Sequence, residues 1–347
     1  MGINSRLNLN QSIEIPGYSI DIDSNCYIIA EIGINHGGDY ILAQEMVEAA
    51  FEAGANAAKL QIVNPEDSYS KTNISYSVFS KTGLSDKQIY DLVNINTKKG
   101  TVFATPGDIS SLKKCINANM QLYKISSGLL TNRPLIKQIV QTKKPIILSS
   151  GMATLKEVSS AVKYAKLSGC TDIAVLQCTS IYPAPFNTIN LSAMNVLQKT
   201  CNSIVGYSDH CMGWLACNTA VAMGAKIIEK HLTFDNKSLG ADHHISLNYK
   251  DFSRMVTDIR NIEKMYGNGI KEPHAEEIIN RENIRRYCVA KTNIYPGDIF
   301  NLDNVVFKRL GNEIKGIEAI DFNKIENTES LSLFKIGSII QKDKFSE

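Results

Sequence analysis

The residues in this sequence that are best suited to chemistry are two histidines that each follow a short apolar run. His210 ends the segment Ser208-Asp209-His210, and His231 ends the segment Glu229-Lys230-His231. Two neutral imidazoles that bind one divalent cation leave its other coordination positions open for water and a substrate oxygen. The alternative is that each histidine caps a strand through hydrogen bonds. The two histidines follow consecutive apolar runs at similar positions, and this arrangement favours the metal site.

Two lysines occupy similar positions earlier in the chain. Lys59 and Lys124 lie at the ends of apolar runs, where an unpaired charge is costly to bury. A phosphate or carboxylate ligand would satisfy both ammonium groups, and hydroxyl groups at other run ends would complete an anion pocket: Thr105, Ser127, Ser149 and Ser208. The alternative for either lysine is an ion pair with Glu31 or Glu229. The combination of both lysines with these hydroxyl groups favours the anion pocket.

The segments that carry these residues repeat one pattern. Between residues 26 and 265, a short β-branched run, a polar residue and an amphipathic segment recur, and the runs are 26–30, 57–62, 101–104, 122–125, 145–148, 173–176, 203–206 and 225–228. Near-continuous apolar strands are buried on both faces, as in a parallel sheet. The pattern predicts an α/β fold, a (β/α)8 TIM barrel, with an open doubly wound sheet as the alternative. No GxGxxG motif follows the first run to support a dinucleotide-binding sheet.

In a (β/α)8 barrel the functional residues lie at the carboxyl ends of the strands. Each run in this sequence ends in groups that can bind a ligand or transfer a proton, namely Glu31, Lys59, Gln61, Thr105, Lys124, Ser127, Ser149, Ser180, Tyr182, Ser208, Asp209, His210, Glu229, Lys230 and His231. A purely structural barrel would not need such a group on every strand. The sequence therefore predicts a binding or catalytic site at this end of the barrel.

The flanking segments predict further parts of the chain. Residues 1–25 contain a Pro-Gly turn between two alternating stretches, which predicts a hairpin that plugs the bottom of the barrel of residues 26–266. Residues 267–286 are charged and interrupted by glycine and proline, which predicts a linker. Residues 287–347 predict a small domain with short strands near 290–300, 305–309 and 336–340.

Composition limits the class of protein. Of 347 residues, 44% are hydrophobic and 21% are charged, which is typical of a globular protein with a full core. The net charge of +2 gives no electrostatic reason to expect a nucleic acid or membrane partner. The 8 cysteines form no CxxC pair, and no run approaches the about 20 apolar residues of a membrane span. We therefore expect free thiols and a cytoplasmic protein.

Several motifs, taken in order, resemble the sialic acid (nonulosonic acid) synthase family. They are Ala30-Glu31-Ile32-Gly33-Ile34-Asn35-His36, Lys59-Leu60-Gln61, Ala104-Thr105-Pro106, Tyr123-Lys124-Ile125, Leu148-Ser149-Ser150-Gly151-Met152, Cys178-Thr179-Ser180-Ile181-Tyr182-Pro183, Gly206-Tyr207-Ser208-Asp209-His210, Glu229-Lys230-His231 and 240–247. The tail resembles the SAF (antifreeze-like) domain of these enzymes through Ile294-Tyr295-Pro296-Gly297-Asp298 and Lys308-Arg309. The resemblance spans the whole predicted barrel and is specific to the family.

The resemblance implies a transferase that joins phosphoenolpyruvate to an open-chain N-acetylated amino sugar and releases phosphate. It implies that His210 and His231 hold Mn2+, with Mg2+ or Co2+ as alternatives. Phosphoenolpyruvate would be bound by Lys59, Thr105, Lys124, Ser127, Ser149 and Ser208. Glu31 and Asp242 would orient the sugar and a water molecule and transfer protons, and Gln61, Ser180 and Tyr182 would line the sugar channel.

The resemblance also implies a homodimer that exchanges its small domains, so that Arg309 contacts the sugar in the partner's barrel. The chain departs from the family pattern at Leu129, where a carboxylate is usual after Ser127-Gly128. Ser180 replaces an asparagine found in some members. Leu310 replaces a common proline, and the turn 311–313 is altered.

Two other functions remain open at this stage. One is a Schiff-base aldolase on the same barrel, with Lys124 or Lys59 as the nucleophile. The other is a non-catalytic barrel that binds a sugar, which Leu129 favours. For the synthase, the acceptor is N-acetylmannosamine or a 6-deoxy diacetamido-hexose, and the motifs weakly favour the acceptors that lead to N-acetylneuraminate and legionaminate over pseudaminate.

Overall fold

The computed structural model describes residues 12–15, 17–95, 99–240, 242–311 and 316–346. The chain divides into two compact units, Met1–Gly267 and Asn268–Glu347. Within the described ranges, no helix has the length and apolar character that crossing a membrane requires. Residues 1–11 and Pro16 of the predicted hairpin lie outside the described residues.

The first unit begins with an antiparallel hairpin of β1 (Ile13–Ile15) and β2 (Tyr18–Ile20). Gly17, at the turn, has a φ of 78°, a left-handed conformation that glycine adopts without strain. The hairpin isoleucines are buried together with residues from the starts of the barrel strands: Tyr27, Ile29, Ala57, Phe103, Leu122, Ile147, Ala174, Leu176, Ile204 and Ile227. The hairpin therefore closes the amino-terminal end of the barrel.

Over the described part of the first unit, eight parallel strands form a closed barrel, which confirms the predicted fold class. They are β3 (Tyr27–Gly33), β4 (Ala57–Ile62), β5 (Thr101–Pro106), β6 (Tyr123–Ile125), β7 (Ile146–Ser149), β8 (Ile173–Cys178), β9 (Ile204–Asp209) and β10 (Ile227–Thr233). Strand β10 pairs with both β9 and β3, which closes the barrel. A short strand β11 (Leu247–Asn248) pairs with the end of β10.

Helices follow the strands and cover the barrel. They are α1 (Tyr40–Glu52), α2 (Pro65–Ser68), α3 (Ile74–Phe79), α4 (Asp86–Val93), α5 (Ile109–Asn117), α6 (Arg133–Gln141), α7 (Leu155–Leu167), α8 (Ala193–Cys201), α9 (Leu215–Ala222) and α10 (Tyr249–Tyr266). Helices α4 and α7 begin with capping boxes, Ser85 with Gln88 and Thr154 with Glu157, which satisfy backbone N–H groups of the first turn.

Side chains of successive strand residues point alternately into the barrel and towards the helices. In β3, Ile28, Ala30 and Ile32 belong to the core between strands and helices, whereas Tyr27 and Ile29 belong to the cluster that contains the hairpin. Glu31 shares the orientation of these two interior residues. Interior positions are therefore apolar near the hairpin and become charged at the carboxyl ends of the strands.

The second unit contains α11 (Ala275–Ile284) and an antiparallel pair, β12 (Arg286–Ala290) and β13 (Val305–Arg309). The segment 267–286, predicted to be a linker, contains α11. This helix is stabilised by a capping box between His274 and Glu277. The predicted strand 305–309 coincides with β13. The segment 336–340 forms an isolated bridge through Ile339, since Gly337 (φ 84°) interrupts an extended run.

We predict that Ile20→Ala destabilises the barrel by about 2–5 kcal/mol, because it removes buried apolar contacts and leaves a cavity at the plug. Ile20 is 0% exposed and Ile22, two residues later, is 44% exposed, so Ile22→Ala is the matched control. Urea unfolding of the two variants measures the difference. Equal stabilities would contradict a packed plug.

Candidate active site

Two lysines and two glutamates form a buried cluster inside the carboxyl end of the barrel. Lys59 Nζ lies 2.9 Å from Glu31 Oε2 and 3.2 Å from Glu229 Oε2. Lys124 Nζ lies 2.8 Å from Glu229 Oε1. Each of these side chains is at least nine-tenths buried. Both lysines thus form the ion pairs that were the alternative to an anion pocket, but they share Glu229 and lie side by side.

The surroundings of this cluster set the protonation of its members. Burial raises the pKa of Glu31 to about 7, against the opposing effect of Lys59. Burial also acts on Glu229, but Lys124 and Lys59 outweigh it and lower the pKa of Glu229. Burial lowers the pKa of Lys124, whereas Glu229 and Glu31 outweigh burial at Lys59 and raise its pKa. Glu31 is therefore the carboxyl group of the cluster that can exchange a proton near neutral pH.

Hydroxyl groups surround the cluster. Ser208 Oγ donates to Glu229 Oε1 at 2.8 Å, and Lys59 Nζ donates to Thr105 Oγ1 at 3.5 Å. The hydroxyl of Ser149 is buried and has no hydrogen-bond partner among the described residues. A buried hydroxyl without a partner carries a free-energy cost that a polar ligand would remove.

Two further predicted residues meet at the loop after β7. Ser127 Oγ accepts a hydrogen bond from Gly151 N at 3.0 Å. A Cβ atom at position 151 would collide with the hydroxyl groups of both Ser127 and Ser180, so the absence of a side chain there allows them to approach. Leu129, where the family pattern has an acid, is partly buried and packs against the core between strands and helices.

The two predicted metal-binding histidines lie close together, with ring centroids 5.6 Å apart. His210 Nδ1 donates to the carbonyl oxygen of Thr179 at 2.7 Å, which leaves Nε2 unprotonated on the neutral ring. Burial lowers the pKa of both histidines and so favours the neutral form that binds metals. His231 Nδ1 lies 3.9 Å from Asp242 Oδ2. Neutral imidazoles are ligands that divalent transition metals take, but no group of three or more His, Cys, Asp or Glu side chains in the described ranges is placed to hold such an ion.

The predicted sugar-binding residues of the barrel border the same site. Gln61 Nε2 donates to Glu31 Oε1 at 3.2 Å. The ring of Tyr182 lies against the ring of His210, with centroids 4.0 Å apart, and is half exposed. The structure thus brings the predicted barrel residues together at one end. Ala241, beside Asp242, lies outside the described residues.

Arg309 belongs to the second unit. It is exposed at the end of β13, where it is the register partner of Arg286. Of the altered turn that follows, Asn312 and Glu313 lie outside the described residues. The role of Arg309 in sugar binding remains a prediction.

Two neighbours of the site were given no binding or catalytic role by the resemblance, although the sequence identifies Glu229 as a strand-end group and as an alternative ion-pair partner of the lysines. Glu229 joins both lysines, and Cys178 Sγ lies 3.8 Å from His210 Nδ1. Strand alternation offers a signal for Glu229, which lies two residues before His231 and therefore points to the same side of β10. Cys178 ends β8 in the same way as the other site residues end their strands.

The closed barrel and the charged cluster at its carboxyl end define the TIM-barrel class of enzymes, in which the active site lies at this end. The chain belongs to the NeuB family, whose model matches residues 46–271. A SAF domain model matches residues 285–346. The resemblance seen in the sequence is therefore confirmed for both parts of the chain.

Individual relatives cover most of the chain. A protein of Methanocaldococcus jannaschii is 41% identical over 87% of this chain and 90% of its own length. The N,N'-diacetyllegionaminic acid synthase of Campylobacter jejuni is 36% identical over 85% of this chain and 93% of its own length. The crystal structure of N-acetylneuraminic acid synthetase from Leptospira borgpetersenii, in complex with citrate, has a TM-score of 0.73 at 34% identity and covers 79% of this chain and 97% of that one.

We predict that Glu229→Gln destabilises the barrel by about 3–5 kcal/mol, because it leaves two buried ammonium groups without their shared carboxylate. Asp86→Asn is the control, since it breaks the exposed ion pair with Lys114 and should change stability little. Thermal and urea unfolding measure both effects. Similar losses in the two variants would show that the buried cluster does not depend on Glu229.

Proposed function

We propose that this chain is a phosphoenolpyruvate-dependent nonulosonic acid synthase. It would condense phosphoenolpyruvate with an open-chain N-acetylated amino sugar and release inorganic phosphate. The observation that carries the proposal is that His210 and His231 lie beside the Lys59–Glu229–Lys124 cluster at the carboxyl end of the barrel. The cation site would polarise an oxygen atom of one substrate, and the neighbouring pair of ammonium groups would bind a second, anionic substrate.

The lysines would bind the carboxylate and phosphate groups of phosphoenolpyruvate. With Glu31 protonated, the cluster holds two ammonium groups and one carboxylate, so its net charge favours an anion. The hydroxyl groups of Thr105, Ser127, Ser149 and Ser208 would donate hydrogen bonds to the bound anion. Ser149 supports this role because its buried hydroxyl has no partner among the described residues.

The proposed reaction forms a bond from C3 of phosphoenolpyruvate to the aldehyde carbon of the sugar. Water adds at C2, and the C–O bond to the phosphoryl group breaks, so phosphate leaves with the former enol oxygen. A divalent cation held by His210 and His231, Mn2+ with Mg2+ or Co2+ as alternatives, would polarise the aldehyde. Glu31 and Asp242 would orient the water and the sugar hydroxyls and would accept or return the protons.

The acceptor that we propose is the 6-deoxy diacetamido-hexose that leads to N,N'-diacetyllegionaminic acid. Relatives from Campylobacter jejuni and Legionella pneumophila with this activity in their names are 36% and 34% identical to this chain. N-acetylmannosamine is the alternative acceptor. Gln61, Ser180 and Tyr182 would line the sugar channel, and the product would serve cell-surface polysaccharide synthesis.

A specific observation favours one other reaction. Burial lowers the pKa of Lys124, as in enzymes whose lysine forms a Schiff base with a carbonyl substrate. This aldolase would need no metal and would be trapped by borohydride in the presence of its substrate. The close ion pair between Lys124 and Glu229 opposes it, because that pair holds the proton on the nucleophile.

We expect the purified protein to release phosphate only when phosphoenolpyruvate and an acetamido sugar are both present. Release should stop in EDTA and return with Mn2+, and the diacetamido sugar should be used faster than N-acetylmannosamine. His210→Ala should lose turnover, whereas His274→Ala, which changes an exposed histidine of the second unit, should retain it. Metal-independent activity with borohydride inactivation would establish the aldolase instead.

We further propose a homodimer in which the small unit of one subunit brings Arg309 to the sugar in the partner's barrel. Arg309→Ala should raise KM for the sugar about tenfold or more and leave KM for phosphoenolpyruvate nearly unchanged, because only the sugar loses a charged hydrogen bond. Arg286→Ala is the matched control on β12. An equal rise in both KM values, or none, would rule out this role.

A further inference from the structure

Asp209 and Lys230 form an ion pair on the outer side of the barrel wall, directly behind the two histidines. They are register partners on β9 and β10, and Lys230 Nζ lies 2.8 Å from Asp209 Oδ2. Both side chains are 0% exposed. Asp209 Oδ2 also accepts from Cys217 Sγ of α9 at 3.4 Å, which places the pair on the helical side.

The pair is bonded to the backbone on the far side of His210. Asp209 Oδ1 accepts from the backbone N–H of Cys211 at 2.9 Å and from the hydroxyl of Tyr207 at 3.0 Å. Lys230 Nζ donates to the carbonyl oxygen of Cys211. The backbone N–H and carbonyl groups of Cys211, the residue after His210, are therefore bonded to the side chains of Asp209 and Lys230.

Stability alone does not account for an ion pair at this position. Apolar residues of similar volume can often replace a buried ion pair without loss of stability, because the charges must be removed from water. Here the pair lies in the otherwise apolar layer between the barrel and α9. What apolar side chains could not supply are the two directional bonds to Cys211.

We propose that Asp209 and Lys230 are positioning residues that fix the backbone around His210 and its register with His231. The two imidazoles then converge on one divalent cation. Neither residue would touch the cation or the substrates. This inference rests on the proposed function, because it assumes that His210 and His231 bind the metal.

The test is the double variant Asp209→Leu with Lys230→Met, which removes both charges together and leaves neither unpaired. We expect its melting temperature to fall, because the Tyr207 hydroxyl and both backbone polar groups of Cys211 lose their partners, and Mn2+ binding is therefore measured on folded protein below that temperature. Its Mn2+ affinity, measured by electron paramagnetic resonance on metal-free protein without substrates, should fall about 10- to 100-fold, as for other partners that orient metal ligands. The visible spectrum of bound Co2+ should change as well, since it reports ligand geometry.

The control is the double variant Arg260→Met with Glu263→Leu. This ion pair also holds both backbone polar groups of one residue, Cys26, but does so at the opposite end of the barrel. It should alter stability without changing Mn2+ affinity. A double variant at Asp209 and Lys230 that binds Mn2+ as tightly as the wild type overturns the proposal.

If that double variant does not fold, Asp209→Asn with Lys230→Met provides the test. The amide oxygen can still accept from Tyr207 and Cys211, whereas the bond to the carbonyl oxygen of Cys211 is lost together with both charges. Weaker Mn2+ binding in a folded variant supports the inference, and unchanged binding contradicts it. A wild type that binds no Mn2+ would instead overturn the metal site of the proposed function, and the inference with it.

Discussion

The carboxyl end of the barrel depends on one carboxylate, Glu229, that forms ion pairs with two ammonium groups. Lys59 reaches it from β4, two strands away from β10, and Lys124 reaches it from β6, on the opposite side of the barrel. Ions of this kind are stable in an interior only when they are paired and hydrogen-bonded. The Glu229 cluster therefore acts as a polar core in the upper barrel, just as the hairpin isoleucines and their neighbours form an apolar core in the lower barrel.

The two cores follow from a single geometric rule. Every second residue of a parallel barrel strand points inward, so a strand can supply apolar side chains near its start and functional ones near its end. Strand β10 does so with Ile227, Glu229 and His231, and β4 with Ala57, Lys59 and Gln61. The same rule puts Lys230 on the outer side, where it meets Asp209 instead of the substrates.

Much of this arrangement could be predicted from sequence. Strands that are buried on both faces give unbroken apolar runs, so the sequence predicts the eight barrel strands. Their observed ends differ from the predicted ends by a few residues. Strand order then predicts that His210 and His231 are neighbours. Side-chain pairing could not be predicted, because whether Lys59 meets Glu31, Glu229 or both depends on distances of a few ångströms. Helix α11 was missed because its sequence is polar and begins after glycine and proline.

The partner that sets the tautomer of His210 is a backbone carbonyl, that of Thr179. A main-chain oxygen is present whatever amino acid occupies the position, so no single substitution at residue 179 can delete this acceptor. A substitution there changes the side chain while the imidazole keeps the same nitrogen available, as long as the chain follows the same path. The path of the chain after β8, which the Thr179 hydroxyl also holds through the carbonyl oxygen of Thr188, therefore fixes the tautomer.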